Sequence, residues 1–449
     1  MKVRSLIFLW ACAALAFSSA EAGERTVSLE DCIAIALDNH PDIMVAREER
    51  NKAQANYKQS LAPNKVIVNG ELRTVEYLKE TSSAGNLNLP GRDTTFGIFA
   101  GATANYIIFD ANRDKNQQAA KLNTGLAKVS EQKVHSTIAL NVKTAYYAYA
   151  FARENSLFKE DLKKRFTIKL EKTRLLFKNG QRPVQDVTKA EVDLASANLE
   201  YERAANLEKL SKIQLLSALG VTDESINIKP GSVKELPDLR FSLAELYSLA
   251  ENNYPDLRIT RMNKAVQKIN IAVQRAARSP SLSVYGSLGF ENKDLAGAEN
   301  ATDNFMPNKW EPTFHAGVQA RVPIYSGGAI PARINAAVAE YHKSVYTEKK
   351  LLLSMKSMIR NYHQEMEELK KQIDLSKLMK ENARKHLDYA RKSYDHGIGS
   401  QLELQDAESA LINAEIFEVK AKYDYLAALA KLSNTVGVGE EFLCKKQDF

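Results

Sequence analysis

The chain has 449 residues, and its 62 lysine and arginine residues against 55 aspartate and glutamate residues leave a formal net charge of only +7. This excess is spread along the chain without a basic block, which argues against a nucleic-acid-binding protein. The seven histidines show no metal-ligand spacing and there is no glycine-rich phosphate loop. We therefore expect a protein that is not an enzyme and that holds no cofactor or metal.

Residues 1–22 have the features of an export signal. Two basic residues precede the apolar stretch Leu6–Phe17, which is too short for a membrane helix. The small residues of Ala20–Ala22 then fit a cleavage site. We expect this segment to be removed and the remaining chain to be exported.

Three cysteines bear on processing and oxidation. Cys12 lies in the apolar stretch, but the bulky Trp10 and the short run before it argue against N-terminal lipidation. Cys32 and Cys444 are the only cysteines of the exported chain, too few for a disulfide framework. Two unrelated buried thiols are expected, and pairing between them stays open.

Two copies of one pattern follow, from Ser28 to Val221 and from Ser242 to Val438. Motifs return in the same order and at a nearly constant offset, which indicates a duplicated domain rather than a solenoid of short repeats. We divide the exported chain into a first repeat at 23–221, a linker at 222–241, a second repeat at 242–438 and a tail at 439–449. The matched motifs are Asn39-His40-Pro41-Asp42 with Asn253-Tyr254-Pro255-Asp256, Ile108-Phe109-Asp110 with Ile324-Tyr325-Ser326, Asn179-Gly180 with His396-Gly397, and Leu219-Gly220-Val221 with Val436-Gly437-Val438.

Each copy starts with a helix of medium length, Leu29–Leu61 or Leu243–Ala277, in which a proline marks a break or restart. Two segments of alternating apolar and polar residues come next, and this period of two is typical of half-buried strands. Such segments predict strands at about 65–77, 95–109, 281–291 and 312–325.

Each copy continues with a very long helix, Ala111–Lys178 or Ala332–His396, because neither segment contains proline and glycine is almost absent. A glycine-containing turn, Asn179–Pro183 or His396–Ser400, then leads into a returning helix. Alanine recurs every seventh residue along both returning helices, which is typical of a coiled-coil seam. These alanines are Ala190, Ala197 and Ala204 in the first copy and Ala407, Ala414, Ala421 and Ala428 in the second.

Four strands leave two interpretations open. A closed barrel is the only strand structure that spans a bilayer, and it needs about eight strands or more. Insertion into a membrane would therefore require strands from further copies of the chain. The alternative is a soluble periplasmic coiled-coil protein with a small sheet and a structural or adhesive role.

The chain resembles the TolC-like outer-membrane efflux and secretion channels. The resemblance rests on the export signal, the duplicated unit and the sequence motifs Tyr106–Asp110 and Val322–Gly328. The resemblance covers Ser28 to Val438. It implies an α+β, mostly α fold, in which long coiled-coil hairpins form a periplasmic tunnel. Four strands per chain would contribute to one transmembrane β-barrel shared by a homotrimer.

The same resemblance implies a passive channel, gated at its periplasmic end, in the outer membrane of a Gram-negative bacterium. The channel would be the exit duct of a tripartite efflux or type I secretion system. Its partners would be outer-membrane lipid, a periplasmic adaptor (membrane fusion) protein and an inner-membrane transporter. The sequence does not specify the substrate or whether the transporter is of the RND or the ABC type.

Candidate site residues follow from the resemblance. Acidic residues just after the tip turns would ring the periplasmic entrance, and the matching residues are Asp186, Glu403 and Asp406. Family members carry a gate-linking arginine two residues after the second-copy glycine, where this chain has Gly399. Arg182, two residues after the first-copy glycine, is the candidate in its place.

Two further sets are implied. The hairpin turns would receive the adaptor, and these residues are Asn179, Gly180, His396 and Gly397. Polar side chains of the strands would line the barrel lumen, and these residues are Asn69, Arg73, His315, Gln319 and Arg321.

Overall fold

The computed structural model describes residues 27–79, 93–221, 228, 230–231, 236–296, 310–396 and 398–444. The export signal, Cys12, Gly397, most of the 222–241 linker and the last residues of the tail lie outside this range. The helices are α1 Leu29–Asn39, α2 Pro41–Ser60, α3 Ala111–Lys178, α4 Val184–Leu219, α5 Leu243–Asn253, α6 Pro255–Ala276, α7 Ala329–Asp395, α8 Gln401–Val436 and α9 Glu440–Leu443. The strands are β1 Ile67–Lys79, β2 Asp93–Asp110, β3 Ser281–Ala296 and β4 Glu311–Arg321.

The chain forms two compact units that do not follow the sequence repeats. Among the described residues, one unit combines those up to Asn39 with those of 142–235, and the other combines those of 40–141 with those from Leu236 onwards. Within the described residues, none of the helices has the length and apolar character needed to cross a membrane.

The first unit is built on a helical hairpin. Helix α4 returns beside the second part of α3, and ion pairs join the two, among them Arg174–Glu191 at 2.7 Å and Lys159–Glu200 at 3.6 Å. The heptad alanines Ala190, Ala197 and Ala204 are buried. Their small side chains let the helix axes approach closely, as the seven-residue spacing predicts.

The second unit contains a four-stranded antiparallel sheet in the order β1-β2-β3-β4. Two predicted strand ends are wrong. Strand β4 ends at Arg321, short of the expected end near 325, because Pro323 has no N–H to donate to the ladder. Strand β3 continues past 291 to Ala296, because its last residues pair with β2 up to Thr95.

The helices of the second unit pack around one apolar core. Helices α5 and α6 lie against α7, and α8 returns along α7 with its heptad alanines buried. Glu348 of α7 binds Lys264 and Arg261 of α6, and these hydrogen bonds lower the pKa of its carboxyl despite its partial burial. The largest buried side chains of this core include Leu246, Leu257, Met355, Ile359, Leu429 and Leu432.

Both described cysteines are free thiols. Cys32 and Cys444 are buried, and burial raises the pKa of each thiol to about 11. A thiol with such a pKa stays protonated and unreactive at neutral pH.

Candidate functional site: the hairpin tips and the polar face of the sheet

The first hairpin tip is closed by a glycine in the left-handed conformation. Gly180 has φ +70°, and its N–H donates to Phe177 O at 2.9 Å while Gln181 N–H donates to Leu176 O at 2.9 Å. This pair of bonds satisfies the last carbonyl groups of α3. A side chain at Gly180 would point into open space, so the compact turn leaves its backbone accessible.

The acid of the first tip is paired within the tip itself. The residue before α4 is Pro183, which supplies no side-chain cap. Asp186 instead lies 3.5 Å from Arg182, with both side chains partly exposed. The structure thus brings these two predicted residues together, in a pair of a kind commonly worth about 0–1 kcal/mol.

The second tip has a different turn. His396 Nδ1 lies 2.7 Å from Lys392 O, and the N–H groups of Ile398 and Gly399 both donate to Ser393 O. A Cβ at Gly399 would lie 2.8 Å from Ser393 Oγ, so this position favours glycine over the arginine of the resemblance.

The two acids of the second tip differ in their bonding. Ser400 and Glu403 form a reciprocal capping box at the start of α8, with both bonds at 3.2 Å. Asp406 is exposed and makes no hydrogen bond or ion pair with the described residues. Glu403 therefore has a structural task, which the Ser-x-x-Glu spacing could have signalled, whereas the carboxylate of Asp406 has no partner among the residues that the structure describes.

The five predicted lumen residues share one face of the sheet. Asn69 lies in one row with Thr103, Ser287 and His315, each directly opposite the next. The remaining three stand on the same face in other rows: Arg73 opposite Phe99, Gln319 opposite Ser283, and Arg321 opposite Ser281.

One residue of this polar face was missed by the sequence analysis. Phe99 is buried beneath the guanidinium of Arg73, whose Cζ lies 5.8 Å from the ring centre. The ring fits beside Gly101 and Gly289, where an added Cβ would come within 2.7 Å or 2.8 Å of it. Glycines inside two neighbouring strands are the signal that could have indicated this close approach.

The opposite face of the sheet is apolar and exposed. Rows such as Leu72–Ala100–Phe290 cross it without a charged residue. Its large exposed side chains are Val68, Leu72, Val284, Leu288, Phe290, Phe314 and Val318. An exposed apolar surface of this kind marks an interaction with a membrane or another protein.

The family model described as outer membrane efflux protein matches residues 32–221 and 246–438. The chain belongs to this family. The alkaline protease secretion protein AprF of Pseudomonas aeruginosa is 24% identical over 430 residues, covering 92% of this chain and 85% of that protein. The cation efflux system protein CusC of Escherichia coli is 25% identical over 410 residues, covering 87% and 83%.

Solved structures show the same fold. The crystal structure of CusC matches with a TM-score of 0.74 at 20% identity, over 93% of this chain and 95% of that one. The CmeC outer membrane channel of Campylobacter jejuni matches with a TM-score of 0.76 at 18% identity, over 91% and 85%. The predicted family, the mostly helical fold class, the efflux-channel function and the outer-membrane location are confirmed.

Proposed function

We propose that three copies of this chain assemble into one gated channel, the exit duct of a tripartite efflux or type I secretion system. The observation that carries this is the sheet, which has an exposed apolar face, a polar face and unpaired edges at β1 and β4 in the described residues. Pairing β4 of one copy with β1 of the next would close the edges. It would turn the apolar face to lipid and the polar face to a lumen.

The partners we propose are a periplasmic adaptor and an inner-membrane transporter. Their support is the similarity to relatives named for alkaline protease secretion and for cation efflux. The adaptor would dock on the turns at Asn179-Gly180 and His396-Gly397, and the open surroundings of Gly180 support this for the first tip. The transporter would supply the energy, so the duct itself would need no enzymatic activity.

The gate we propose is a ring of carboxylates. Three-fold symmetry would bring copies of Asp406 together around the axis, and a narrow mouth would focus their negative field. Asp186 and Glu403 are further candidates for the ring. The free carboxylate of Asp406 supports its place in the ring. Arg182 would act as a latch on the resting gate, and Arg182→Ala should then raise the single-channel conductance of the resting pore.

Fractionation of cells expressing the full chain tests the assembly. The protein should stay in the outer membrane after a high-salt wash, and the detergent-extracted form should have the mass of a trimer and conduct ions in planar bilayers. Release by salt as a monomer without conductance would contradict the proposal and favour the soluble periplasmic scaffold.

A further inference from the structure

At three of the four junctions between the sheet and the helices, the described residues include cations without an ion pair. The fourth junction, from β2 to α3, holds Asp110 and Asp114, and Asp114 pairs with Arg113 at 3.0 Å. Lys65 precedes β1, Arg275 and Arg278 precede β3, and Arg333 follows β4, and all four side chains are exposed. None of them makes an ion pair or a side-chain hydrogen bond in the described part of the chain. Segments 58–66, 271–283 and 319–336 contain no acidic residue at all. An excess of unpaired cations at one level of the molecule indicates an anionic partner.

Aromatic and apolar side chains lie at the same end of the sheet. Phe109 stands opposite Leu282 in the apolar rows, near the end of β2. Ile324 and Tyr325, between β4 and α7, are 96% and 88% exposed. Phe109 and Tyr325 occupy matched positions in the two repeats, so both copies place an aromatic ring at the strand-to-helix junction. Aromatic side chains at the end of an apolar band are typical of a membrane–water interface.

The topology fixes which end this is. Helices α2, α3, α6 and α7 all join the sheet here, whereas β1 and β3 end, and β2 and β4 begin, at the other end of the sheet. This step rests on the proposed function: if the sheet crosses the outer membrane and the helices extend into the periplasm, the junctions lie at the periplasmic boundary. The inner leaflet of the membrane, made of phospholipid, begins at that level.

We propose that these junctions form a collar that binds the phosphate groups of anionic phospholipids in the inner leaflet. The collar comprises Lys65, Arg275, Arg278 and Arg333 together with the rings of Phe109 and Tyr325. The cations attract the headgroups over about a Debye length, and the rings hold the chain at the depth where headgroup meets hydrocarbon. Arg321 is not part of the collar, because it stands on the polar face opposite Ser281.

Lipid retention by the purified full-length channel tests the collar. The channel is reconstituted in phosphatidylethanolamine with and without phosphatidylglycerol, and the lipids that remain bound are counted by native mass spectrometry. Wild type should retain phosphatidylglycerol over phosphatidylethanolamine by roughly threefold or more, and raised salt should abolish this preference. Arg275→Gln with Arg278→Gln should lose most of the preference at low salt.

The matched control is Arg360→Gln with Arg384→Gln. Both residues are exposed arginines of α7, about 45 Å or more along the helix from Ala329, and the control should keep the wild-type preference. Equal phosphatidylglycerol retention by wild type and the collar variant would overturn the proposal. So would a collar variant that shifts ion selectivity toward cations with unchanged lipid retention, because its arginines would then line the lumen.

Conductance of the wild-type channel in neutral bilayers is recorded in parallel. A wild-type protein that does not conduct would refute the proposed duct. A wild-type protein that conducts but shows no lipid preference would refute only the collar.

Discussion

At the scale of the residue, the equivalent acidic residues of the two hairpin tips make different interactions. Asp186 and Glu403 occupy equivalent positions, yet Asp186 pairs with Arg182 and Glu403 belongs to a capping box. The cause is local, because Pro183 cannot cap α4 whereas Ser400 caps α8. The two acids therefore have different bonding partners, although they occupy equivalent positions in the two repeats.

Asp406 is expected to dominate cation selectivity at the entrance. Asp406→Asn removes a free carboxylate and should lower both the cation preference and the block by multivalent cations, each about two- to tenfold in planar bilayers. Glu403→Gln is the control, since glutamine also serves in a capping box and the change removes only charge. It should have the smaller effect. Unaltered selectivity in the Asp406 variant would remove this residue from the ring.

Gly101 is expected to tolerate no side chain. In Gly101→Ala the new Cβ would meet Leu288 O at 2.4 Å and the Phe99 ring at 2.7 Å, so strand β3 or Phe99 must move. We expect the assembled channel to lose about 1–3 kcal/mol of stability, seen as dissociation at a lower temperature. Gly70→Ala is the control, because nothing lies within 4 Å of its added Cβ. Equal dissociation temperatures of the two variants would contradict the close packing of the Phe99 ring beside Gly101.

At the scale of the element, the long hairpins and strands were predictable because their periods of seven and two lie within contiguous residues. The alanines of α8, from Ala407 to Ala428, are buried as that period requires. The glycines at positions 101 and 289 signal a close approach between strands. That the Phe99 ring fills this space was not predictable, since it depends on the register between segments far apart in sequence. The lack of an ion pair or hydrogen bond between Asp406 and the described residues was not predictable either, because it depends on where the neighbouring side chains lie in the folded chain.

The α7–α8 hairpin is expected to lose stability in acid through one buried carboxylate. Glu418 lies 2.7 Å from Lys422 and 3.1 Å from Lys380. Burial raises its pKa, but the bonds to Lys422 and Lys380 outweigh burial and the net pKa is lowered. The stabilisation is therefore complete above the carboxyl's unfolded pKa and is lost as pH falls through the lower folded pKa.

Glu418→Gln should lower the free energy of unfolding by about 1–3 kcal/mol at neutral pH. The loss should shrink as pH falls below about 4, which chemical denaturation at several pH values would measure. Glu381→Gln is the control, because the exposed pair Glu381–Lys385 is commonly worth little. A constant difference between Glu418→Gln and wild type at all pH values would contradict this account.

The first tip is expected to be a docking surface in which bulk matters. Gly180→Trp fills the open space at the turn and should abolish export while trimers still assemble and conduct. Gly180→Asn keeps the positive φ with far less bulk, since asparagine tolerates that conformation, and should export normally. Normal export by the tryptophan variant would mean that the adaptor binds elsewhere.

At the scale of the whole molecule, the sheet is incomplete in one copy of the chain. Its edges are unpaired and its apolar face is exposed in the described residues. In the helical hairpins, by contrast, the heptad alanines of α4 and α8 are already buried within one copy of the chain. Assembly and sheet formation are therefore expected to be coupled, whereas helix formation is not.

Heating the trimer in detergent should separate these two events. Loss of the trimer band and loss of the strand signal in circular dichroism should coincide, because the edges of β1 and β4 would lose their partners together. The helical signal should outlast both. A monomer that retains its strand signal would show that the sheet is stable alone and would contradict the coupling.

Gly437, at the end of the second repeat, packs against the start of that same repeat. Its φ is +77°, and an added Cβ would come within 2.4 Å of Asn253 O, while Leu239 forms an antiparallel bridge with Cys444. A fold whose beginning and end touch can be joined head to tail to a second copy without moving any part of its interior. The contact between Asn253 and Gly437 thus offers a physical reason why one repeat could be joined in tandem to a second copy, whose strands now share a single sheet with its own.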